Sequence, residues 1–328
     1  MKYFALSIVI PTWNRKKKLL KLIKFLIFLL KENKIKYEIF ICDSHSTDGT
    51  IKEINKKFSR KLFVNILNIK ENSISKKRNI GIKNSKYPNI LLLDDDCIPK
   101  KNFFKILKKY LEISSKNEIF CGQYSTNSKL IANSNYYNFR DLKNLKTNKK
   151  VEINYNNIIT GCCFFKKNLL KREFYFNEKI QGYGLEDVEW AHRLKKNKFN
   201  LFLTEAKVDH QETSQNIGSY LLKWYMLSRD AMPSLLKNKK NEMNGKIFIF
   251  EKLYTNFIFK LFLKFINYFL LVPTSIALKL ILIKTDKTKY LFSKKIFNFL
   301  LFLYYLRGAC DRNRYNFKTS KWYDSGYK

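Results

Sequence analysis

The chain has 328 residues, enough for one large domain or two smaller ones with a substantial hydrophobic core. Its formal net charge is +37, from 64 Lys and Arg residues against 27 Asp and Glu residues. Such an excess favours anionic partners, but the basic residues are spread along the whole chain and form no compact motif with interleaved aromatic residues. The composition therefore predicts no specific recognition of nucleic acid.

The six cysteines show no paired spacing typical of a zinc site. Cys42 and Cys97 lie in apolar, strand-like contexts, where a free thiol behaves as a small buried hydrophobic group. This usage predicts a reducing compartment. Residues 6–10 form an apolar run that is too short for a secretory signal and leads directly into Pro11. We therefore expect the catalytic part of the protein in the cytoplasm.

The first half of the chain alternates strand and helix patterns. Strands are predicted at residues 6–10, 38–42, 62–67 and 89–93, and helices at residues 17–31 and 75–85. A polar turn follows the second strand, and Ser46 or Thr47 is expected to cap the helix after it. This alternation predicts an α/β fold with a mostly parallel sheet flanked by helices.

The middle of the chain is less regular. Strands are predicted at residues 119–124 and 158–165, and residues 190–198 have the pattern of a helix end. The polar, Asn-rich stretch between these strands, residues 125–157, suits a mobile loop over a site. From about residue 248 the sequence changes to long apolar helical segments. We expect a catalytic domain over residues 1–246 and an apolar, basic helical region over residues 247–328.

Three adjacent acids, Asp94, Asp95 and Asp96, follow the apolar strand that ends at Leu93. The carboxyl ends of parallel strands are where such sheets bind ligands. Because neighbouring carboxylates repel one another, a cation is their natural partner, and Mg²⁺ or Mn²⁺ commonly bridges carboxylates to substrate phosphates. The triplet therefore predicts a divalent metal site, against the alternative of a solvated acidic turn.

Further polar residues are expected at the same edge of the sheet. They follow the first strand, follow the second strand, or precede the acidic strand: Pro11, Thr12, Trp13, Asn14, Asp43 and Arg78. Together with the acids they fit a crevice for a nucleoside diphosphate. Taken singly, Asp43 also fits a turn cap and Arg78 a solvated helix face.

A second acidic cluster follows Gly184. Glu186 and Asp187 are predicted at a helix start, where the positive end of the helix dipole keeps a carboxylate ionised, as a general base requires. An ordinary acidic first turn of a helix is the structural alternative. His210, which follows a short strand, is a candidate third metal ligand.

Taken in order, these motifs resemble those of the inverting glycosyltransferases of family 2, which have the GT-A fold. The similar segments are residues 7–15, 38–50, 78–81, 94–96 (the D-x-D-type acids), 160–165 and 184–190. The likeness covers roughly residues 5–212. It implies a Rossmann-like, mostly parallel sheet flanked by helices. The sequence departs from the family pattern at Ser44-His45, which replace the usual D-G, and at Lys77, where a small residue is common.

The resemblance implies a role for each matching residue. The donor nucleotide would be held by Pro11, Thr12, Trp13, Asn14, Asp43, Arg78, Asp94 and Asp95. The metal, Mn²⁺ or Mg²⁺, would be held by Asp94, Asp96 and His210. Asp187 would be the catalytic base. The acceptor would be contacted by Glu186, Gly161 and Trp190.

The motifs and the resemblance together predict metal-assisted transfer of a sugar from a nucleoside-diphosphate sugar to a hydroxyl of a glycan or lipid-linked glycan, with inversion. The expected role is in the synthesis of a surface polysaccharide or a lipid-linked glycan. A nucleotidyltransferase is one alternative, but it would be expected to carry a glycine-rich phosphate loop, and residues 5–20 contain no glycine. A dinucleotide-dependent dehydrogenase fails for the same reason. A basic nucleic-acid-binding protein remains as an alternative that rests on charge alone.

The C-terminal region has the pattern of an amphipathic helix. Its polar residues recur at spacings of four, four, four and three, namely Lys252, Asn256, Lys260, Lys264 and Asn267. The longest apolar run, residues 268–283, is interrupted by Pro273 and Lys279 and is shorter than a membrane span requires. We therefore expect attachment to an anionic membrane surface on the inner face of the cell membrane. Packing on the catalytic domain or on a second subunit, as a homo-oligomer, is the alternative.

Overall fold

The structure is a computed structural model that describes residues 4–58, 63–115, 117–180, 182–211, 216–237, 251, 254–288 and 294–312. The chain divides into two compact units. The first comprises Met1–Thr126, Asn144–Glu178 and Glu186–Glu212, and the second comprises Asn127–Lys143, Lys179–Leu185 and Thr213–Lys328. The predicted domain boundary at residue 246 lies outside the described residues, so it stays a prediction.

The first unit is built on a nine-stranded sheet. The strands are β1 Ala5–Thr12, β2 Lys36–Asp43, β3 Val64–Asn68, β4 Asn89–Leu93, β5 Cys97–Pro99, β6 Glu118–Ser125, β7 Val151–Glu152, β8 Cys162–Lys166 and β9 Asn200–His210. Their spatial order is β3-β2-β1-β4-β8-β6-β9-β5, with β7 paired to β9. Strands β3, β2, β1 and β4 run parallel, whereas β8 is antiparallel to both of its neighbours. The sheet is thus parallel in its N-terminal half and mixed beyond β4.

Helices cover the sheet on both sides. In the part of the chain that the structure describes, the α-helices are α1 Lys16–Glu32, α2 Thr50–Phe58, α3 Ile74–Asn84, α4 Phe103–Ile113, α5 Ser128–Asn133, α6 Asn135–Lys143, α7 Glu186–Lys196, α8 Ile217–Met226, α9 Met232–Lys237, α10 Phe257–Ile266, α11 Val272–Lys284 and α12 Lys294–Cys310. Because side chains alternate across a strand, Leu6, Ile8 and Ile10 of β1 face a core with α1 and α4, while Val9 faces a second core with α3 and α7. This architecture confirms the predicted α/β class.

Helix α3 lies unusually close to the sheet because it carries Gly81. A Cβ atom at this position would lie 2.3 Å from Cγ1 of Val9 and 3.1 Å from the Sγ atom of Cys42. A larger residue would push α3 away from β1 and β2. The glycine therefore holds the N-terminal half of α3, which contains Lys77 and Arg78, beside the carboxyl ends of these strands.

The strands predicted at residues 6–10, 38–42, 89–93 and 119–124 are confirmed, as are the helices at residues 17–31 and 75–85, each within a few residues. The third strand begins at Val64, and residues 59–62 lie outside the described part. The strand predicted at residues 158–165 begins only at Cys162, because the preceding residues form a turn closed by Cys162 N–H and the Ile159 carbonyl at 3.3 Å.

Two further expectations are wrong. Neither Ser46 nor Thr47 caps α2; Asp48 does, since its carboxylate accepts the Thr50 N–H at 2.9 Å. The polar stretch at residues 125–157 is not one loop, because it contains α5, α6 and β7. Short helices rich in Asn carry no strong helical pattern in the sequence, so their hydrophobic contacts, such as those of buried Tyr136 and Phe139, decide the structure.

In the second unit, residues Phe257–Lys284 form one helix of 28 residues that is long and apolar enough, by length and composition, to cross a membrane. Pro273 interrupts the apolar run, as the sequence shows, but it does not end the helix. A π-helical turn at Asn267–Leu271 directly precedes Pro273, which sits in the first turn of α11. Wider turns of this kind accommodate the missing N–H and the bulk of the ring.

Candidate active site

The carboxyl edge of β2, β1 and β4 aligns three polar residues. Thr12 is paired in register with Asp43, and Val9 with Leu92, so the same offset brings Asp95 beside Thr12. The Thr12 hydroxyl donates to the Asp95 carboxylate at 2.7 Å, and the Asp95 carboxylate also lies 3.9 Å from the Arg15 guanidinium. The register of the parallel sheet therefore assembles this row from three separate segments of the chain.

The three acids of the triplet turn to three different partners. Asp95 faces Thr12 and Arg15, Asp94 lies 3.2 Å from the Arg78 guanidinium, and Asp96 lies 3.5 Å from Nε2 of His210. Burial raises the pKa of Asp95 to about 7, with a further contribution from Asp96. Burial alone would also raise the pKa of Asp96, but the hydrogen bond and charge of His210, together with the charges of Lys18 and Arg15, lower that pKa to about 2.

Arg78 joins the triplet to the second acidic cluster. Its guanidinium lies 3.2 Å from Asp94 on one side and 3.2 Å from Glu186 on the other. The side chain is buried, with its guanidinium carbon 5.3 Å from the ring centre of Phe176. The charge of Asp187 also acts on it. One buried cation thus gathers carboxylates from two motifs that are far apart in the sequence.

Glu186 and Asp187 lie in the first turn of α7, as the sequence predicts. Burial, followed by the charge of Asp187, raises the pKa of Glu186 to about 7, although Arg78 opposes this shift. Burial also raises the pKa of Asp187 above its ordinary value, again against Arg78. Immediately before the helix, Gly184 and Leu185 have φ values of 85° and 72°, so the chain turns sharply into it.

Asp96, Cys97 and His210 form a group that could hold a metal ion, with ligand atoms within 4.8 Å of one another. A carboxylate and an imidazole fit Mn²⁺ or Mg²⁺, which take remaining ligands from water and substrate phosphates. The thiol does not fit a hard ion, and burial raises the pKa of Cys97 so that it stays protonated. Asp94, the third predicted ligand, is outside this group and pairs with Arg78.

The loop after β2 is fixed by residues that the sequence assigned to the donor. Asn14, whose φ is 52°, accepts the Thr47 N–H at 2.7 Å through its side chain. Asp43 is almost fully buried and accepts the Ser46 N–H at 2.9 Å. His45, where the family pattern has glycine, also lies in the left-handed region with a φ of 53°. Asn14 and Asp43 therefore shape the crevice wall.

The remaining predicted residues differ in their access to the site. Pro11 is buried within β1, whereas the Trp13 indole is half-exposed at the carboxyl edge. Gly161 lies against the triplet, since a Cβ there would lie 2.5 Å from Oδ2 of Asp94. The structure does not bring Trp190 to the site. Its side chain is fully buried, donates to the Phe174 carbonyl at 2.7 Å and stacks on Phe176, which is a packing role.

Sequence reasoning missed two residues of this site. Lys77 is buried next to Thr12, at the carboxyl edge of the sheet. Its ammonium donates to the Thr12 carbonyl at 2.8 Å and to the Asn72 side chain at 2.6 Å. Burial lowers the pKa of Lys77 to about 8, although Asp43 and Asp95 oppose the shift. Tyr124 stacks on His210, with ring centres 4.5 Å apart. Only the departure from the family pattern at Lys77 signalled either residue.

Comparison with solved structures finds S. aureus TarS (residues 1–349) at 14% identity and a TM-score of 0.48, covering 74% of this chain and 67% of that one. The same protein in complex with UDP-GlcNAc gives 15% identity and a TM-score of 0.49, with coverages of 74% and 68%. The catalytic domain of Drosophila β1,4-galactosyltransferase 7 in complex with xylobiose gives 14% identity, a TM-score of 0.41 and coverages of 64% and 71%.

No curated protein sequence matches the chain. A family model, that of glycosyl transferase family 2, does match, over residues 7–174. The matched segment runs from β1 through the sheet-edge residues, the acidic triplet and β8, and the observed sheet with its flanking helices agrees with the GT-A fold expected of that family. Since the match covers more than half of the 328 residues, the chain belongs to glycosyl transferase family 2.

Proposed function

We propose that the protein transfers a sugar from a nucleoside-diphosphate sugar to a hydroxyl group of a glycan or lipid-linked glycan, with inversion at the anomeric carbon. The observation that carries this proposal is that Arg78 contacts both Asp94 of the triplet and Glu186 at the start of α7. It supports a single reaction site in which the triplet binds the donor and the start of α7 receives the acceptor. The half-exposed Trp13 offers a face for the nucleotide base, beside the crevice formed by Thr12, Asp43 and Asp95.

In this site Asp187 acts as the general base. It takes the proton of the acceptor hydroxyl while the oxygen forms a bond to the anomeric carbon from the face opposite the leaving group. The bond from that carbon to the diphosphate oxygen breaks, and its electron pair leaves with the diphosphate, so the configuration inverts. The raised pKa of Asp187 brings the base closer to neutral pH, where proton transfer is more effective.

Asp96 and His210 would hold Mn²⁺ or Mg²⁺. A bound divalent ion would supply Lewis-acid stabilisation of the charge that develops on the leaving diphosphate. The chain itself contributes the fixed positions of these two ligands, since Asp96 directly precedes β5 and His210 ends β9, which pairs with β5. Arg78 adds a second positive charge beside Asp94.

The proposal is tested with a panel of nucleotide sugars in Mn²⁺, by measuring release of the nucleoside diphosphate and the anomeric configuration of the product by NMR. Asp187→Asn should lose turnover by at least 100-fold and keep donor affinity, because general-base help is worth about 10²–10⁴-fold. Glu189→Gln is the matched control, since Glu189 lies on the same helix but pairs with Arg193 at 3.0 Å. Retention of configuration, or a loss of donor affinity in Asp187→Asn, would contradict the assignment.

We further propose that the helix Phe257–Lys284 attaches the protein to an anionic membrane. Large apolar side chains on it are exposed, among them Phe257 (74%), Ile258 (77%) and Tyr268 (77%), whereas its buried residues are few. A soluble helix normally faces its apolar side inward, so this orientation supports an apolar medium outside. Lysines at positions 260, 264, 279 and 284 and the net charge of +37 complement anionic head groups.

The inner face of the cell membrane is the location we propose for this attachment. All six cysteines are free and buried, which suits a reducing compartment. Flotation with anionic and neutral liposomes at low and high salt tests it. The full chain should float with anionic liposomes, and the double variant Phe265→Ser, Phe269→Ser should float less. A wild-type chain that stays with the soluble fraction as a defined oligomer would favour a subunit interface instead.

A further inference from the structure

Tyr124 lies beside the candidate metal ligands although no sequence motif contains it. Strands β6 and β9 run parallel and pair Tyr124 with Val208, so the ring of Tyr124 reaches diagonally to His210, two residues further along β9. The two rings stack with centres 4.5 Å apart and planes 17° apart. Among the described residues, Asp96 is the sole hydrogen-bonding partner of the His210 imidazole. The stacking contact therefore supplies the second constraint on the orientation of that ring.

The hydroxyl of Tyr124 points at the acidic triplet. An ideal Cβ on Gly161 would lie 2.4 Å from this hydroxyl and 2.5 Å from Oδ2 of Asp94, so both oxygens fill the space that the glycine leaves open. Asp94 and Asp96 both act on the hydroxyl electrostatically, but no residue in the described part of the chain forms a hydrogen bond with it. Tyr124 is only half-buried, and its hydroxyl keeps some access to solvent.

An unpaired phenol donor next to two carboxylates suits an anionic oxygen brought in by a ligand. A phenol hydroxyl ordinarily keeps its proton at neutral pH, so that of Tyr124 is available as a donor. Hydrogen bonds from a neutral donor to a charged oxygen are stronger than those between neutral groups. The diphosphate of a nucleotide donor that binds beside the triplet presents such oxygens.

We propose that Tyr124 is a donor-site residue with two separable roles: its ring positions His210 for metal binding, and its hydroxyl donates a hydrogen bond to the diphosphate of the sugar nucleotide. The inference rests on the proposed function and adds a contact that the family motifs do not contain. Because this contact would stabilise the leaving group, it belongs to the donor half of the reaction and not to the acceptor half.

Two substitutions separate the roles. Tyr124→Phe removes the hydroxyl and keeps the ring, so Mn²⁺ affinity without nucleotide should be unchanged, while UDP affinity in Mn²⁺ should fall about tenfold. Tyr124→Leu also removes the ring, so Mn²⁺ affinity should itself fall about 10-fold or more, as is typical for residues that orient metal ligands. Manganese binding is measured by electron paramagnetic resonance and UDP binding by calorimetry, neither of which depends on turnover.

Tyr110→Phe is the matched control, because the Tyr110 hydroxyl donates to Glu205 at 2.8 Å and its ring stacks on Phe120 in the core. This variant should lose stability without losing Mn²⁺ or UDP affinity. If Tyr124→Phe binds UDP like the wild type while the wild type transfers sugar, the inference is overturned and the proposed function stands. If the wild-type protein binds neither Mn²⁺ nor any nucleoside diphosphate from the donor panel, both are overturned. Should Tyr124→Leu fail to fold, Tyr124→Met tests the role of the ring in its place, and an unchanged Mn²⁺ affinity in that variant would overturn this role.

Discussion

The buried Arg78 should be the residue on which the stability of the site depends most. It is 3% exposed and lies 3.2 Å from the carboxylates of both Asp94 and Glu186. Replacing it with methionine, a side chain of similar length, removes the charge and leaves acids in the site without their common partner. The substitution Arg78→Met therefore tests whether the two motifs are held together by this one guanidinium.

The expected loss is about 3–5 kcal/mol of unfolding free energy at pH 8, the cost typical of removing one partner of a buried ion pair. The loss should shrink as the pH falls, because protonated acids no longer need the cation. The folded-state pKa of Glu186 is already raised to about 7, mainly by burial, and Arg78 works against that shift. Without Arg78 this pKa should rise further, so destabilisation grows as the pH rises through neutrality.

Urea denaturation at pH 5.5 and pH 8, followed by circular dichroism, measures both values. Lys76→Met is the matched control on the same helix, since Lys76 forms an exposed pair with Glu71 at 2.9 Å. An exposed pair of this kind contributes about 0–1 kcal/mol. A loss below 1 kcal/mol for Arg78→Met, or an equal loss at both pH values, would show that the carboxylates do not depend on Arg78.

Three further predictions concern the site and its loop. In Gly161→Ala, the new Cβ would lie 2.4 Å from the Tyr124 hydroxyl and 2.5 Å from Oδ2 of Asp94. Donor affinity measured by calorimetry should therefore fall, and the unfolding free energy should drop by about 1–3 kcal/mol. Unchanged affinity would argue against this geometry. In His45→Gly, relief of the left-handed conformation at a φ of 53° should raise the unfolding free energy by about 1 kcal/mol in urea titrations, and a decrease would refute the strain. The wild-type kcat/KM should decline on the acid side as the pH falls through the pKa of Asp187. Because burial raises this pKa, the decline should lie above the ordinary aspartate range. A pH profile that stays flat down to pH 5 would exclude Asp187 as the base.

Much of the fold follows from local patterns in the sequence. The apolar runs of β1, β2 and β4 are interrupted by polar residues where each strand ends, and a parallel sheet brings such ends to one edge. This is why the place of the acidic triplet and of the helix start at Glu186 could be predicted. The packing role of Gly81, by contrast, is visible only in the fold, where a Cβ would lie 2.3 Å from Cγ1 of Val9.

The tertiary structure alone decided which partner each side chain has. Asp94, Asp95 and Asp96 are identical in chemistry and adjacent in the chain, yet they turn to Arg78, Thr12 and His210 because three different strands and helices surround them. Tyr124 gained its place only through the register of β6 with β9.

The same holds for one residue and one helix whose surroundings differ from what their sequence patterns suggest. Trp190 follows the acidic motif on α7, but its side chain points into the core. The helix Phe257–Lys284 presents apolar side chains outward, although its composition alone fits a buried helix equally well. Strand ends and helix starts depend on neighbours in the sequence, so local patterns predict them. Ion pairs, ring stacking and burial depend on residues that only the folded chain brings together. No local pattern of a single sequence encodes the distances between such residues.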